Sequence, residues 1–165
     1  MKSLLFLLLT CSNTAIGSTY MNYNSYNHDN YWKMTPEVVI CKNQTVFTKN
    51  QVIHALEAWG EKYTKIVIRE KCNYKIEIGK IKIIDGKKLK TGEWGYTSYF
   101  FVNRDIGNKT VREHDSALVQ LDRNVTNVNL LIHELGHAFG YDHYDRKDDV
   151  MNSYEHYDYS GKYLY

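Results

Sequence analysis

Residues 128–143 carry the pattern that most constrains how this chain can fold. Their apolar side chains recur at the intervals of one face of an α-helix, which predicts an amphipathic helix from Val128 onward. Either Asn124 or Thr126 is expected to cap the start of this helix. Gly140 follows the last apolar positions, and a glycine there can adopt the left-handed conformation that ends a helix and turns the chain sharply. The apolar positions are Val128, Leu131, Ile132, Leu135, Ala138 and Phe139.

The same segment contains three histidines that this geometry can bring together. His133 and His137 are four positions apart, so both imidazoles lie on one helix face, one turn apart. His143 lies three residues beyond Gly140, and the turn can return it as a third ligand. Three nitrogen ligands and a water form the open arrangement of a catalytic zinc ion. Glu134 follows the first ligand directly, so it can lean toward a metal-bound water without being a ligand itself.

The pattern HExxHxxGxxH resembles the metzincin clan of zinc endopeptidases, and HELGHAFGYDH is most similar to the matrixin (matrix metalloproteinase-type) family. Met151 lies eight positions after His143, which matches the methionine turn of matrixins. The resemblance implies that Met151 forms a hydrophobic base under the histidines. It also implies an α+β, metzincin-like zincin domain with a twisted, mostly parallel sheet, an active-site helix and a second backing helix.

The rest of the chain is predicted to form strands around an earlier helix. Thr48 and Gln51 make a capping box at the start of that helix, and Gly60 lies near its end. The residues from Asp105 to Asp115 are polar and predict a loop. Runs rich in β-branched and aromatic residues predict strands at 37–42, 66–69, 75–84, 96–102 and 117–121.

Residues 1–17 predict a secretory signal peptide, and therefore a secreted or extracytoplasmic protein. Lys2 precedes an apolar run of leucines, and Ala15 and Gly17 are the small residues of a cleavage site. A lipoprotein signal that anchors the chain at Cys11 ranks second, because the residue before this cysteine is larger than usual.

Three further segments are expected after the signal peptide. They are a flexible Tyr/Asn-rich arm over 18–35, the catalytic domain over 36–154 and a short Tyr-rich tail over 155–165. Two cysteines, Cys41 and Cys72, remain after cleavage, and an even number in an exported chain suggests one disulfide. Two buried free thiols are the alternative.

Composition excludes several other classes. A net charge of +2 over 165 residues gives no electrostatic footprint for nucleic acid. No apolar run approaches the roughly 18 residues of a transmembrane helix, and a monomer is expected. Calcium stays open as a second ion to which Asp105, Asn108 and Asp115 could contribute, but no motif supports it, because these residues do not have the spacing of a calcium loop.

These observations predict a zinc-dependent endopeptidase that cleaves protein or peptide substrates. Zinc would lower the pKa of its bound water, and Glu134 would take the proton as general base. An extended substrate is expected to add to a sheet edge, for which Tyr96–Val102 is the candidate. Two alternatives stay open: an inactive zinc-binding module on the same fold, and a zinc hydrolase that cleaves a non-protein or cell-wall amide. The intact Glu134 favours an enzyme over a binding module.

Overall fold

The computed structural model describes residues 30–60, 63–87, 89, 93–143 and 150–152. The predicted signal peptide, most of the predicted arm and the predicted tail lie outside these residues. Among the helices that the structure describes, none combines the length and the apolar character needed to cross a membrane.

Two α-helices and six strands make up the described part of the chain. The helices are α1 and α2, and a short 3-10 turn over Lys42–Gln44 precedes α1. Their bounds are α1 Lys49–Trp59 and α2 Val128–Ala138. The strands are β1 Asn30–Trp32, β2 Glu37–Cys41, β3 Ile66–Arg69, β4 Lys80–Asp85, β5 Gly95–Ile106 and β6 Lys109–Leu121.

The strands form one mixed sheet in which most neighbours are parallel. Strand β2 pairs with β3 and β4, and β4 pairs with residues 117–121 of β6. Strand β1 extends this side of the sheet by pairing in parallel with residues 112–114 of β6. Strand β5 runs antiparallel to β6 along almost its whole length. Within the described residues β5 has no second partner, so it is an edge strand of the sheet, and it contains the predicted segment 96–102.

Both helices pack on one face of the sheet, where alternate residues of the central strands are buried. The capping box predicted at Thr48 and Gln51 is present, and Gly60 ends α1 with a φ of 63°. This face holds the main apolar core, and the sheet and both helices contribute to it. Its members include Val38, Ile40, Ile81, Ile83 and Val119 from the strands, and Val52, Leu56, Leu131 and Leu135 from the helices.

The opposite face of the sheet is covered by the segment 70–79. Cys72 in this segment forms a disulfide with Cys41 of β2, with an S–S distance of 2.03 Å. Beneath it, the fully buried Lys82 donates from Nζ to Glu77 Oε1 at 2.9 Å and to Asn73 O at 2.9 Å. A buried ammonium needs such partners, because an unpaired charge in the interior is costly.

The structure corrects the predicted start of α2. Asn127 is the N-cap, and its Oδ1 accepts from Asn129 N at 2.9 Å. Neither Asn124 nor Thr126 has this role. Asn124 belongs to the preceding turn, in which its backbone N–H donates to Asp122 Oδ1 at 2.7 Å.

Strands occur in two segments that were predicted to have none, the loop over 105–115 and the arm over 18–35. The polar stretch from Asp105 to Asp115 is mostly strand, because β5 and β6 continue as a hairpin that turns at Gly107, where φ is 63°. Most of its outer residues are exposed, so no alternation of apolar residues marked it in the sequence. The arm predicted to end at residue 35 contains β1. Conversely, residues 75–79 of the predicted strand 75–84 belong to the covering segment, and β4 begins only at Lys80.

Candidate metal centre

The three predicted histidines meet at the C-terminal end of α2. The Nε2 atom of His137 lies 3.2 Å from that of His133 and 3.1 Å from that of His143, and the third side of the triangle measures 3.3 Å. Tetrahedral zinc with Zn–N bonds of about 2.0–2.1 Å requires N–N separations of about 3.3 Å. The donor set and its spacing therefore fit a single zinc ion. Among the residues that the structure describes, this is the group of three that can share a metal.

Backbone carbonyls fix the orientation of two of these rings. His133 Nδ1 lies 2.6 Å from the carbonyl oxygen of Val150, and His137 Nδ1 lies 2.8 Å from that of Tyr141. A carbonyl can only accept, so each Nδ1 carries the hydrogen and each Nε2 keeps a lone pair for the metal. Gly140, with a φ of 94°, makes the turn directly before Tyr141 and so brings the Tyr141 carbonyl back toward the helix.

The environment keeps His137 in the neutral form that a metal ligand requires. Burial lowers the pKa of His137 to about 4, and the neighbouring His133 and His143 rings act in the same direction. At neutral pH the ring is therefore unprotonated before any metal arrives.

Glu134 projects from α2 toward β5 and is only 4% exposed. The hydroxyl Oγ1 of Thr97 lies 2.7 Å from Glu134 Oε2, so it donates a hydrogen bond to the carboxylate. Gly95, two positions earlier on β5, lies directly against the same side chain. No motif in the sequence identifies Thr97 or Gly95 as site residues. The one signal that they carry is their spacing of two positions along β5, which places both residues on one face of the strand.

Met151 is buried beneath α2, against Gly136, which lies between the two helical histidines. A Cβ atom added at Gly136 would lie 2.5 Å from Met151 Sδ. The sulfur thus takes the space that the glycine leaves open. The structure therefore places Met151 in the apolar core next to the histidine helix.

The histidines and Glu134 open into a cleft of about 650 Å³. Five consecutive residues of β5 form one wall, and the other wall comes from α2 and the segment after it. Such a groove along a sheet edge has the shape for an extended chain. The lining includes Gly95–Tyr99, Leu130, Asp142 and Asn152.

The other predicted site residues lie away from this cleft. Cys41 and Cys72 lie on the sheet face opposite the helices. Asp105, one of the acidic residues considered for calcium, accepts a hydrogen bond from Thr110 Oγ1 at 2.7 Å on the exposed hairpin.

Comparison with known proteins gives a family for the chain. A direct comparison with individually characterised proteins finds no match. The matrixin family model, however, matches residues 23–163, which include all the described elements and the histidine cluster. This match supports a metalloprotease that uses zinc and acts on a peptide substrate. The α+β fold with its mostly parallel sheet agrees with the match. Because the match covers most of the chain, the protein belongs to the matrixin family.

Proposed function

We propose that this protein is a secreted zinc-dependent endopeptidase in which His133, His137 and His143 hold one zinc ion and Glu134 is the general base. The main support for this proposal is the triangle of histidine Nε2 atoms, with sides of 3.1–3.3 Å. It lies in the same cleft as the buried carboxylate of Glu134. A structural zinc site normally has four protein ligands, whereas three histidines leave one position for water or substrate.

When bound, the zinc ion would polarise the scissile carbonyl and make water acidic near neutral pH. The protein contributes the proton transfers. The Glu134 carboxylate accepts a proton from the attacking water and returns it to the nitrogen of the leaving amine. Its burial keeps bulk water away from that exchange.

Strand β5 is the proposed binding edge for the substrate backbone. It lines the cleft with Gly95–Tyr99 and pairs, within the described residues, with β6 alone. A substrate in an extended conformation can therefore add its own backbone hydrogen bonds to this strand. This arrangement supports hydrolysis within a chain rather than at a free terminus, because the groove runs along the strand.

Secretion by the signal peptide at residues 1–17 is part of this proposal. The disulfide between Cys41 and Cys72 supports it, because disulfides persist in oxidising compartments outside the cytosol. Met151 is proposed as the apolar base of the site, supported by its burial against Gly136.

Metal removal and restoration test this function. The chain beginning at Ser18 is purified, stripped with a chelator, dialysed and mixed with an unfolded protein whose fragments are followed by gel electrophoresis. We expect no cleavage by the stripped protein and full recovery with one equivalent of Zn²⁺. A His143→Ala variant is the matched control and should not recover at that zinc level. Stoichiometric zinc binding without cleavage would contradict the peptidase and favour a binding module. If the zinc-loaded protein cleaves cell-wall fragments but not the unfolded protein, the alternative of a zinc hydrolase for a non-protein or cell-wall amide would be favoured.

A further inference from the structure

We propose that Thr97 is a positioning residue that holds the Glu134 carboxylate in its reactive orientation, with Gly95 as the surface on which that carboxylate rests. The inference depends on the proposed function, since it concerns the same glutamate. It adds to the metal ligands and the base a pair of residues on β5 that determine where the base points.

The hydroxyl group of Thr97 faces two oxygen atoms of Glu134. Thr97 Oγ1 lies 2.7 Å from Glu134 Oε2 and 2.9 Å from the carbonyl oxygen of the same residue. Both are acceptors, so the single hydroxyl hydrogen is shared between them, with the shorter contact to the carboxylate, and it ties Glu134 to β5. Thr97 is only 8% exposed, so the hydroxyl is shielded from bulk water as a competing partner.

Gly95 defines the other boundary of the carboxylate. A Cβ atom at this position would lie 2.8 Å from both Cγ and Cδ of Glu134, and closer still to Oε1. Real Cβ atoms do not approach other atoms so closely, so Glu134 occupies space that only glycine leaves free. The side chain is therefore confined between Gly95 and Thr97, which lie two positions apart on the same face of β5.

The two helical histidines have orienting partners outside β5. His133 and His137 take their orientation from the carbonyls of Val150 and Tyr141, which lie beyond α2. Removing the hydroxyl of Thr97 should therefore change the base without changing the metal ligands. This separation allows the proposal to be tested with the zinc site intact.

The test compares Thr97→Val, which keeps the shape and removes the hydroxyl, with Thr97→Ser, which keeps the hydroxyl. Thr110→Val is the matched control, because it removes a threonine–carboxylate hydrogen bond from the exposed part of the same hairpin. We expect Thr97→Val to lower kcat on the order of tenfold or more at nearly constant KM, since a hydrogen bond to a charged group is lost. Thr97→Ser should recover most of this loss, and all three variants should bind one equivalent of zinc. If Thr97→Val does not fold, Thr97→Ala takes its place.

A crystal structure of each zinc-loaded variant supplies a readout that does not depend on cleavage. We expect one orientation of the Glu134 side chain in the wild type and in Thr97→Ser, and a rotated or divided one in Thr97→Val. Gly95→Ala should displace the same carboxylate by direct contact. An unchanged Glu134 orientation and an unchanged kcat in Thr97→Val would overturn the proposal, as would a loss of zinc binding in that variant. A wild type that cleaves nothing would refute the proposed function, and the crystal structures would still decide whether Thr97 positions Glu134.

Discussion

A Cβ atom added to Gly136 would lie 2.5 Å from Cζ2 of Trp59, so helix α2 passes the indole of α1 with no room for a methyl group. Trp59 also donates from Nε1 to the carbonyl oxygen of Ile132 at 2.7 Å and stacks on Tyr141 at 4.5 Å between centroids. These contacts position the helix that carries His133 and His137.

Gly136→Ala is expected to destabilise the protein, although alanine is the better helix former by about 1 kcal/mol. The added methyl group would overlap Trp59 and Met151, and such overpacking costs about 1–3 kcal/mol or more. Urea unfolding and a zinc titration measure the two consequences, lower stability and weaker metal binding. Gly60→Ala is the control, because Gly60 has a φ of 63° but nothing within 4 Å, so only backbone strain is added. A Gly136→Ala variant as stable as the wild type would contradict this packing.

Trp32 tests whether β1 belongs to the folded domain. Its Nε1 donates to the carbonyl oxygen of Ala138 at 3.1 Å, and its ring packs against the main core. Trp32→Ala should therefore cost roughly 2–4 kcal/mol, whereas Trp32→Phe should cost about 1 kcal/mol for the lost hydrogen bond. Chemical denaturation of the three proteins decides. A change below about 0.5 kcal/mol in Trp32→Ala would place this residue in a flexible arm, as the sequence predicted.

Glu77 should make stability depend on acid pH. Hydrogen bonds from Lys80 and Lys82 lower the pKa of Glu77 to about 2 in the folded protein, against an ordinary value of 4.5. As the pH falls, Glu77 therefore becomes protonated at a higher pH in the unfolded chain than in the folded protein. Its contribution to the free energy of unfolding is complete above pH 4.5 and is lost as the pH falls toward 2. Because 28% of the Glu77 side chain is exposed and therefore screened by solvent, we expect this contribution to the free energy of unfolding to be about 2 kcal/mol.

The measurement is urea unfolding between about pH 6 and pH 2.5 for the wild type and Glu77→Gln. The variant should be less stable at the upper end of this range, because the buried Lys82 loses its charged partner, and its stability should fall less steeply in acid. Glu70→Gln is the control, since Glu70 pairs with Lys42 at the exposed surface. Parallel pH profiles for wild type and Glu77→Gln would refute this role.

Reducing the disulfide between Cys41 and Cys72 should lower the stability of the folded chain. Cys41 and Cys72 are separated by 31 positions, and a cross-link of that span contributes about 3–4 kcal/mol in the chain-entropy description. Thermal unfolding of the metal-free chain, with and without a phosphine reductant, should show a clearly lower Tm after reduction. The double variant Cys41→Ser/Cys72→Ser should match the reduced protein and should not respond to the reductant. Equal Tm values for oxidised and reduced wild type would contradict the expectation.

The parts of the site that follow from local sequence could be predicted, and those that depend on distant contacts could not. His133, His137 and His143 lie within one helix and its turn, so their spacing alone brings them together. Thr97 lies 37 positions from Glu134, and nothing in the sequence of β5 shows which α2 residue it will face.

The same distinction holds for the fold. Helix α1 could be predicted because its capping box and its C-terminal glycine act within a few residues. The outer hairpin was missed because exposed strands carry no apolar alternation, and its pairing depends on a single turn at Gly107. The Asn127 cap was missed because asparagine and threonine occur at neighbouring positions, and the preceding turn at Asp122 decides which residue begins the helix.

The central claim is that Glu134 acts as general base beside a metal held by three histidines. The most direct measurement is cleavage of a diverse pool of unfolded peptides, read by mass spectrometry, for the wild type and Glu134→Ala loaded with equal zinc. We predict new internal peptide ends from the wild type alone, with one zinc ion per chain in both proteins. Equal cleavage by both proteins, or zinc bound in both with no new peptide ends, would contradict it.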